Sequence, residues 1–190
     1  MRAAAILFVG GGVLLSICDA FHTRSGTTAY ARVWALGMAW WTFPLFGAFV
    51  ALAGLGYARL RANDARPAAP LRAVAVAAFV ALYAASAWLP GGNVAKLFVL
   101  FAGAASLWGA LDRTSRGALL AFGVAVIGTL GEIALIEQGA YSYARPDVLG
   151  VPMWLPMLYA AGATALGHAA AAIAPPRRQS GGIVAPVKGP

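Results

Sequence analysis

The chain has 190 residues, 61% of them hydrophobic and 11% charged, with a mean hydropathy of +0.76 and a formal net charge of +8. An ordinary soluble domain carries about 25% charged residues, so 14 basic and 6 acidic side chains cannot supply the polar shell of a water-soluble globule. Lipid offers no hydrogen-bond partners, so a spanning backbone must be helical or a closed barrel, and long unalternated apolar runs are not barrel strands. The expected fold class is all-α: a multi-pass, integral membrane bundle of six transmembrane helices.

A bilayer core of about 30 Å takes roughly 20 helical residues, and six runs of that kind follow one another. They cover about 3–21, 33–57, 73–89, 94–111, 117–136 and 151–174. The first could instead be a cleaved signal, with Arg2 before the apolar run and Cys18 and Ala20 as a small-x-small end, or a poor lipobox at 15–18. Retention agrees better with the charge pattern. In the second run Trp40 and Trp41 precede Pro44, which is expected to kink the helix and open an aromatic-lined gap. The third ends at Pro90, Gly91 and Gly92, and only 112–116 separate the fourth from the fifth, which makes an antiparallel hairpin. Residues 1–174 thus form one membrane domain, and the Gly-, Pro- and Arg-containing tail 175–190 is expected to be disordered.

Counting basic residues on alternate sides puts Arg2, Arg59, Arg61, Arg66, Arg72, Arg113, Arg116, Arg177, Arg178 and Lys188 on one side. Arg24, Arg32, Lys96 and Arg145 fall on the other. The excess places both termini in the cytoplasm. The basic residues sit singly or in pairs without aromatic interleaving, which argues against nucleic acid. One cysteine, Cys18, and two histidines, His22 and His168, leave no supply for a disulfide, a metal site or a catalytic constellation, so no metal, cofactor or enzyme activity is expected. The Ala- and Arg-rich composition points weakly to a bacterial source.

Polar groups inside spans carry the functional reading. A carboxylate in the bilayer costs about 2.5–3.5 kcal/mol on insertion scales, and Glu132 lies about one turn from the outer end of the fifth span. It is expected to pair with Lys96 or Arg24 beside a wet outward cavity, or to snorkel as a structural carboxylate. Thr129 shares its helical face and either presents a second oxygen to a ligand or bonds back to its own helix. His168 is expected in an interhelical hydrogen bond. The ligand contacts are therefore Trp40, Trp41, Lys96, Thr129 and Glu132.

Four stretches resemble the Insig family of polytopic lipid-sensing membrane proteins. The second span reads AWWTFPLFG from Ala39 to Gly47, and the third reads ASAWL from Ala85 to Leu89 with Asn93 after it. LWGALDRTSRG, Leu107 to Gly117, is similar to the family's LWWTFDRSRSG. QGAYSYARPDV from Gln138 is similar to NGVYQYTSPDF, followed by WLP at Trp154 and then Gly162, Thr164 and Gly167. The match runs from about 33 to 170. It implies a non-enzymatic six-helix bundle with a lipid pocket, which takes an oxysterol in animal members and a diacylglycerol-like lipid in bacterial ones. It also implies a homo-oligomer, with trimers among bacterial members, in the bacterial cytoplasmic membrane, or the endoplasmic reticulum of a eukaryote. Asp112 matches the position that engages sterol-sensing-domain partners where a host has them; otherwise it caps the fifth helix. The chain departs from the animal pattern at Glu132, where those members carry Gln, and around Ala95 and Lys96, where a sterol-contacting Gln is missing. A small proton- or cation-coupled transporter using Glu132 is the rival reading. It requires paired halves and a set of buried acids, and the expectation from the sequence is no internal repeat and one buried acid.

Overall fold

The computed structural model describes residues 1–61 and 66–174. Six helices follow the hydrophobic runs: α1 Arg2–Ser25, α2 Thr42–Leu60, α3 Ala69–Trp88, α4 Asn93–Leu111, α5 Ser115–Glu137 and α6 Leu155–Ile173. The tail 175–190 and its basic residues lie outside the described residues. Two three-residue strands, β1 Thr28–Tyr30 and β2 Tyr141–Tyr143, pair antiparallel at the end of the bundle away from the termini. They are the departure from an all-α chain, and they are too short to leave a periodic signal in the sequence.

Among the described residues, five helices, α1 to α5, are long and apolar enough to cross a membrane. The expected sixth span, α6, falls short because it is the hub of the bundle. It packs on α2, α3, α4 and α5, and its Gly162, Thr164, Gly167 and His168 are buried. A helix shielded from lipid needs no apolar exterior. Lipid-facing surface is supplied by side chains such as Leu52, Phe98, Phe122 and Ile127, all exposed.

Close helix approach rests on small residues. A Cβ on Gly47 would stand 2.6 Å from the Phe8 carbonyl oxygen, and one on Gly167 would stand 2.7 Å from the Tyr57 ring, so α2 meets α1 backbone to backbone and meets α6 side chain to backbone. The turn 112–116 does make an antiparallel hairpin, but α4 and α5 each pack on α6 rather than on one another.

The second span starts at Thr42, not Val33, and the sixth at Leu155, not Val151. Residues 33–41 are loop, so Trp40 and Trp41 precede α2, and Pro44 sits in its first turn, where it displaces no helical hydrogen bond and produces no kink. The loop turns at Leu36 and Gly37, with φ of 53° and 79°, closing an Ala35–Met38 bridge. The same turn recurs at Leu149 and Gly150, with φ of 51° and 81°, closing Val148–Val151.

That recurrence overturns the expectation of no internal repeat. Gly26, Tyr30, Ala31, Arg32, Leu36, Gly37 and Trp41 return in the same spacing as Gly139, Tyr143, Ala144, Arg145, Leu149, Gly150 and Trp154. The hydrogen bonds repeat as well: Ala31 N–H donates to Ala140 O and Ala144 N–H to Thr27 O, at 3.1 and 3.0 Å. The β-pair register is symmetric about Ala29 and Ser142. The unit α1–β1–α2 is thus repeated as α5–β2–α6 about a pseudo-two-fold axis. Both copies start at the same end of the bundle, so the repeat is parallel rather than inverted. The repeat was hidden because the helices around it diverge to generic apolar residues.

The hairpin α3–α4 breaks the symmetry. α3 packs against α1 and α6. The equivalent groove, between α5 and α2, receives no helix, and those two helices scarcely touch.

Candidate functional site

That uncovered groove leads into a cavity of about 390 Å³. Its body is apolar, with Phe46, Phe49, Val50, Phe79, Ile127 and Leu158 on the wall. Its polar groups gather at the sheet end, where Asp19, Thr28, Tyr30, Tyr83, Glu132, Tyr141, Tyr143 and Tyr159 all line it. This layout follows from the duplication. Asp19 and Glu132 occupy equivalent places, each in the last two turns of its helix, and each carboxylate accepts from a tyrosine on the strand that follows.

Tyr30 OH donates to Asp19 Oδ2 at 2.7 Å, and Tyr143 OH to Glu132 Oε2 at 3.2 Å. Both tyrosines lie in the strands, outside the spanning helices. Burial, and next the adjoining acid, Asp19 or Glu132, push the two phenols far above the usual tyrosine range, so they remain protonated donors. Glu132 also accepts from Tyr159 OH at 2.5 Å and from Tyr141 OH. Tyr83 of α3 lines the cavity beside Asp19. Tyr30 and Tyr141 stack across the strand pair, with centroids 5.2 Å apart.

The expected pairing of Glu132 with Lys96 or Arg24 is replaced by these tyrosines. Lys96 Nζ donates instead to the Ser86 carbonyl at 2.6 Å, and Ser86 Oγ lies 2.7 Å from His22 Nε2. Of the five expected contacts the cavity collects Trp41 and Glu132. Trp40 is 67% exposed on the outside, and Lys96 stands off the cavity. Thr129 is not on the wall, and its Oγ1, like that of the equivalent Ser16, has no hydrogen-bond partner among the described residues. The sequence reading missed Asp19 and the tyrosines as site residues. The signal was available in the acid and tyrosine recurring eleven residues apart in both halves.

At the opposite end Tyr57 belongs both to the cavity wall and to a second polar cluster. Its hydroxyl donates to Asp112 Oδ2 at 2.9 Å, and Arg61 forms an ion pair with the same carboxylate. His168 Nε2 stands 3.6 Å from Asp112 Oδ2, a charge-range contact between α6 and the α4–α5 turn. Asp112 Oδ1 accepts from Thr114 N–H and Oγ1 at 3.1 and 2.5 Å, while Thr114 Oγ1 caps α5 by accepting from Gly117 N–H at 3.1 Å. Thr114 is therefore the cap and Asp112 its support. Arg61, expected as a surface charge setting topology, is 7% exposed. No group of His, Cys, Asp and Glu able to hold a metal occurs among the described residues.

A helical bundle with a lipid-facing exterior, and an internal apolar cavity closed by polar groups at one end, defines an integral membrane protein with a cavity between its helices. No family model matches the chain. It is similar to insulin-induced gene 1 protein of Xenopus tropicalis, with 28% identity over 179 residues covering 88% of this chain and 70% of that protein. The human protein gives the same identity, and the chain spans 64% of its length. Among solved structures, the mycobacterial Insig homologue MvINS from Mycobacterium vanbaalenii is 30% identical, with a TM-score of 0.81 over 94% of this chain and 96% of that one. A cross-linked MvINS trimer gives a TM-score of 0.82 at 28% identity over 91% and 94%. The chain belongs to the Insig family.

Proposed function

We propose that this chain is a non-enzymatic lipid-binding protein whose ligand, diacylglycerol-like or sterol-like, occupies the cavity between α2, α5 and α6. The observation that carries this reading is the segregation within one cavity: apolar walls supply affinity through burial, and polar groups at one end fix the head. The volume suits a small-molecule site, typically about 300–1,000 Å³. Chains longer than the cavity emerge between α2 and α5 into the bilayer.

Both termini face the cytoplasm, which puts the tyrosine-rich end outside and the Asp112 cluster inside. The membrane is the bacterial cytoplasmic membrane, and the assembly a homotrimer like that of MvINS. Asp112 serves a protein partner indirectly, by shaping the 112–117 turn. The transporter reading gains from the internal repeat and from Asp19 as a second buried acid. It lacks the interrupted helices at mid-bilayer depth that transporters place around their substrate, since α1, α2, α5 and α6 are continuous.

Mass spectrometry of lipids retained by detergent-washed protein tests the proposal. One lipid enriched to near one per chain over the bulk membrane extract is expected; a retained mixture mirroring the extract would overturn it.

A further inference from the structure

The two carboxylate units are equivalent in position but unequally satisfied. Three phenols converge on Glu132: those of Tyr143, Tyr141 and Tyr159. Their counterparts in the first unit are Tyr30, Thr28 and Phe46. Tyr30 keeps its bond to Asp19, Phe46 has no hydroxyl, and Thr28 is too short to stand in for a phenol. Tyr83, brought by α3 to the same end of the cavity, makes up at most one of the two missing donors. The Asp19 half is left at least one donor short. Thr28 bears an independent mark of the same deficit: it is 5% exposed, lines the cavity, and its Oγ1 has no hydrogen-bond partner among the described residues. A buried hydroxyl is normally bonded, and this one points to a ligand.

We propose, building on the lipid reading above, that the ligand's polar head binds against Asp19 and Thr28 and is a small, phosphate-free hydrogen-bond donor, an alcohol or an amine. The carboxylate accepts from the head, and the Thr28 hydroxyl rotates to donate to it or accept from it. None of the residues lining the cavity is Lys, Arg or His. A phosphate or carboxylate head would therefore meet two acids with no basic side chain on the cavity wall; His22 Nδ1 stands 3.8 Å from Asp19 Oδ1 but is not part of that wall. The donor places the head on the first half of the duplicated site, because the second half already spends three phenols on its acid. Thr28 is then the residue that sets specificity: a phenol there would do for Asp19 what Tyr141 does for Glu132.

The symmetry supplies the test, since the β-pair accepts tyrosine at the equivalent position. Purified protein is titrated with hexadecanol, hexadecylamine, dioleoylglycerol and dioleoyl phosphatidic acid, with binding read by native mass spectrometry and folding by circular dichroism. Wild type is expected to bind at least one of the first three at least tenfold more tightly than phosphatidic acid, and the alcohol and amine arms tell which donor is preferred. Thr28→Tyr is expected to weaken that ligand at least tenfold, and Tyr141→Phe, in the satisfied half, by less. Should Thr28→Tyr fail to fold, Thr28→Val, nearly isosteric without the hydroxyl, is expected to weaken binding at least threefold. Folded Thr28 variants that bind like wild type, a larger loss from Tyr141→Phe, or tight phosphatidic acid binding overturns the proposal and leaves the lipid reading standing. A wild-type protein that binds none of the four overturns both.

Discussion

Tyr57 donates a hydrogen bond to Asp112 at 2.9 Å while its ring forms part of the cavity wall. One side chain thus touches both the cavity and the carboxylate that ties α2, α6 and the α4–α5 turn together. Removing the acid takes the carboxylate away from the buried Arg61 guanidinium, and breaking a buried pair costs about 3–5 kcal/mol. Asp112→Ala is expected to lower thermal stability in detergent by that order. Tyr57→Phe loses the hydroxyl's bonds to two charged groups, Asp112 and Arg61, and is expected to cost about 1.5–3 kcal/mol. Equal melting temperatures for Asp112→Ala and wild type would contradict the buried pair.

Gly117 faces the same carboxylate. A Cβ there would stand 1.8 Å from Asp112 Oδ2. Gly117→Ala is expected to push the acid off Arg61 and destabilise by about 2–3 kcal/mol, within the range of disrupted buried networks. In an Asp112→Ala background the same change should be close to neutral, because the two positions are coupled. Additive losses in a double-mutant cycle would refute the contact.

Gly131 lines the cavity, and a Cβ on it would meet nothing within 4 Å. Gly131→Phe is expected to fill part of the groove between α2 and α5 and lower the amount of co-purifying lipid about tenfold, the loss of about 1.4 kcal/mol of binding. Helicity and oligomer elution should be unchanged. Undiminished lipid in a folded variant would place the ligand elsewhere.

Tyr30 and Tyr143 are phenols raised far above the usual range, chiefly by burial and then by the adjoining acid. For groups raised on folding, the stabilising contribution is complete below the unfolded pKa of about 10 and is lost as pH climbs above it. The bundle should therefore keep constant stability from neutral pH to about 9 and weaken beyond 10. Tyr30→Phe should flatten that alkaline fall, read as melting temperature against pH. A fall of unchanged steepness would mean that Tyr30 does not contribute.

The helices were legible because each is a long apolar run closed by charges, Pro or Gly, and their predicted ends err mostly where loops are also apolar. Trp34, Trp40 and Trp41 extended the second run backwards by nine residues for that reason. Glu132 stood out as a charge in a costly place. Asp19 did not, since a carboxylate near a helix end needs no explanation until Tyr30 and Tyr83 are seen to cover it. Lys96 was misassigned by depth alone: it is near Glu132 in level, but the rotation of α4 turns it to Ser86. Rotation about a helix axis depends on packing partners, which hydropathy does not encode.

The groove between α5 and α2 corresponds to the seat that α3 takes between α1 and α6. The proposed ligand would play the part of an absent helix there, and the architecture would be finished by a molecule the chain does not encode. Among the described residues α5 has α6 as its only substantial helical neighbour, so an occupant would decide whether α5 is clasped on two sides or hinged on one. Stripping the lipid should then loosen α5 ahead of every other helix, and hydrogen exchange along 115–137 becomes a gauge of occupancy.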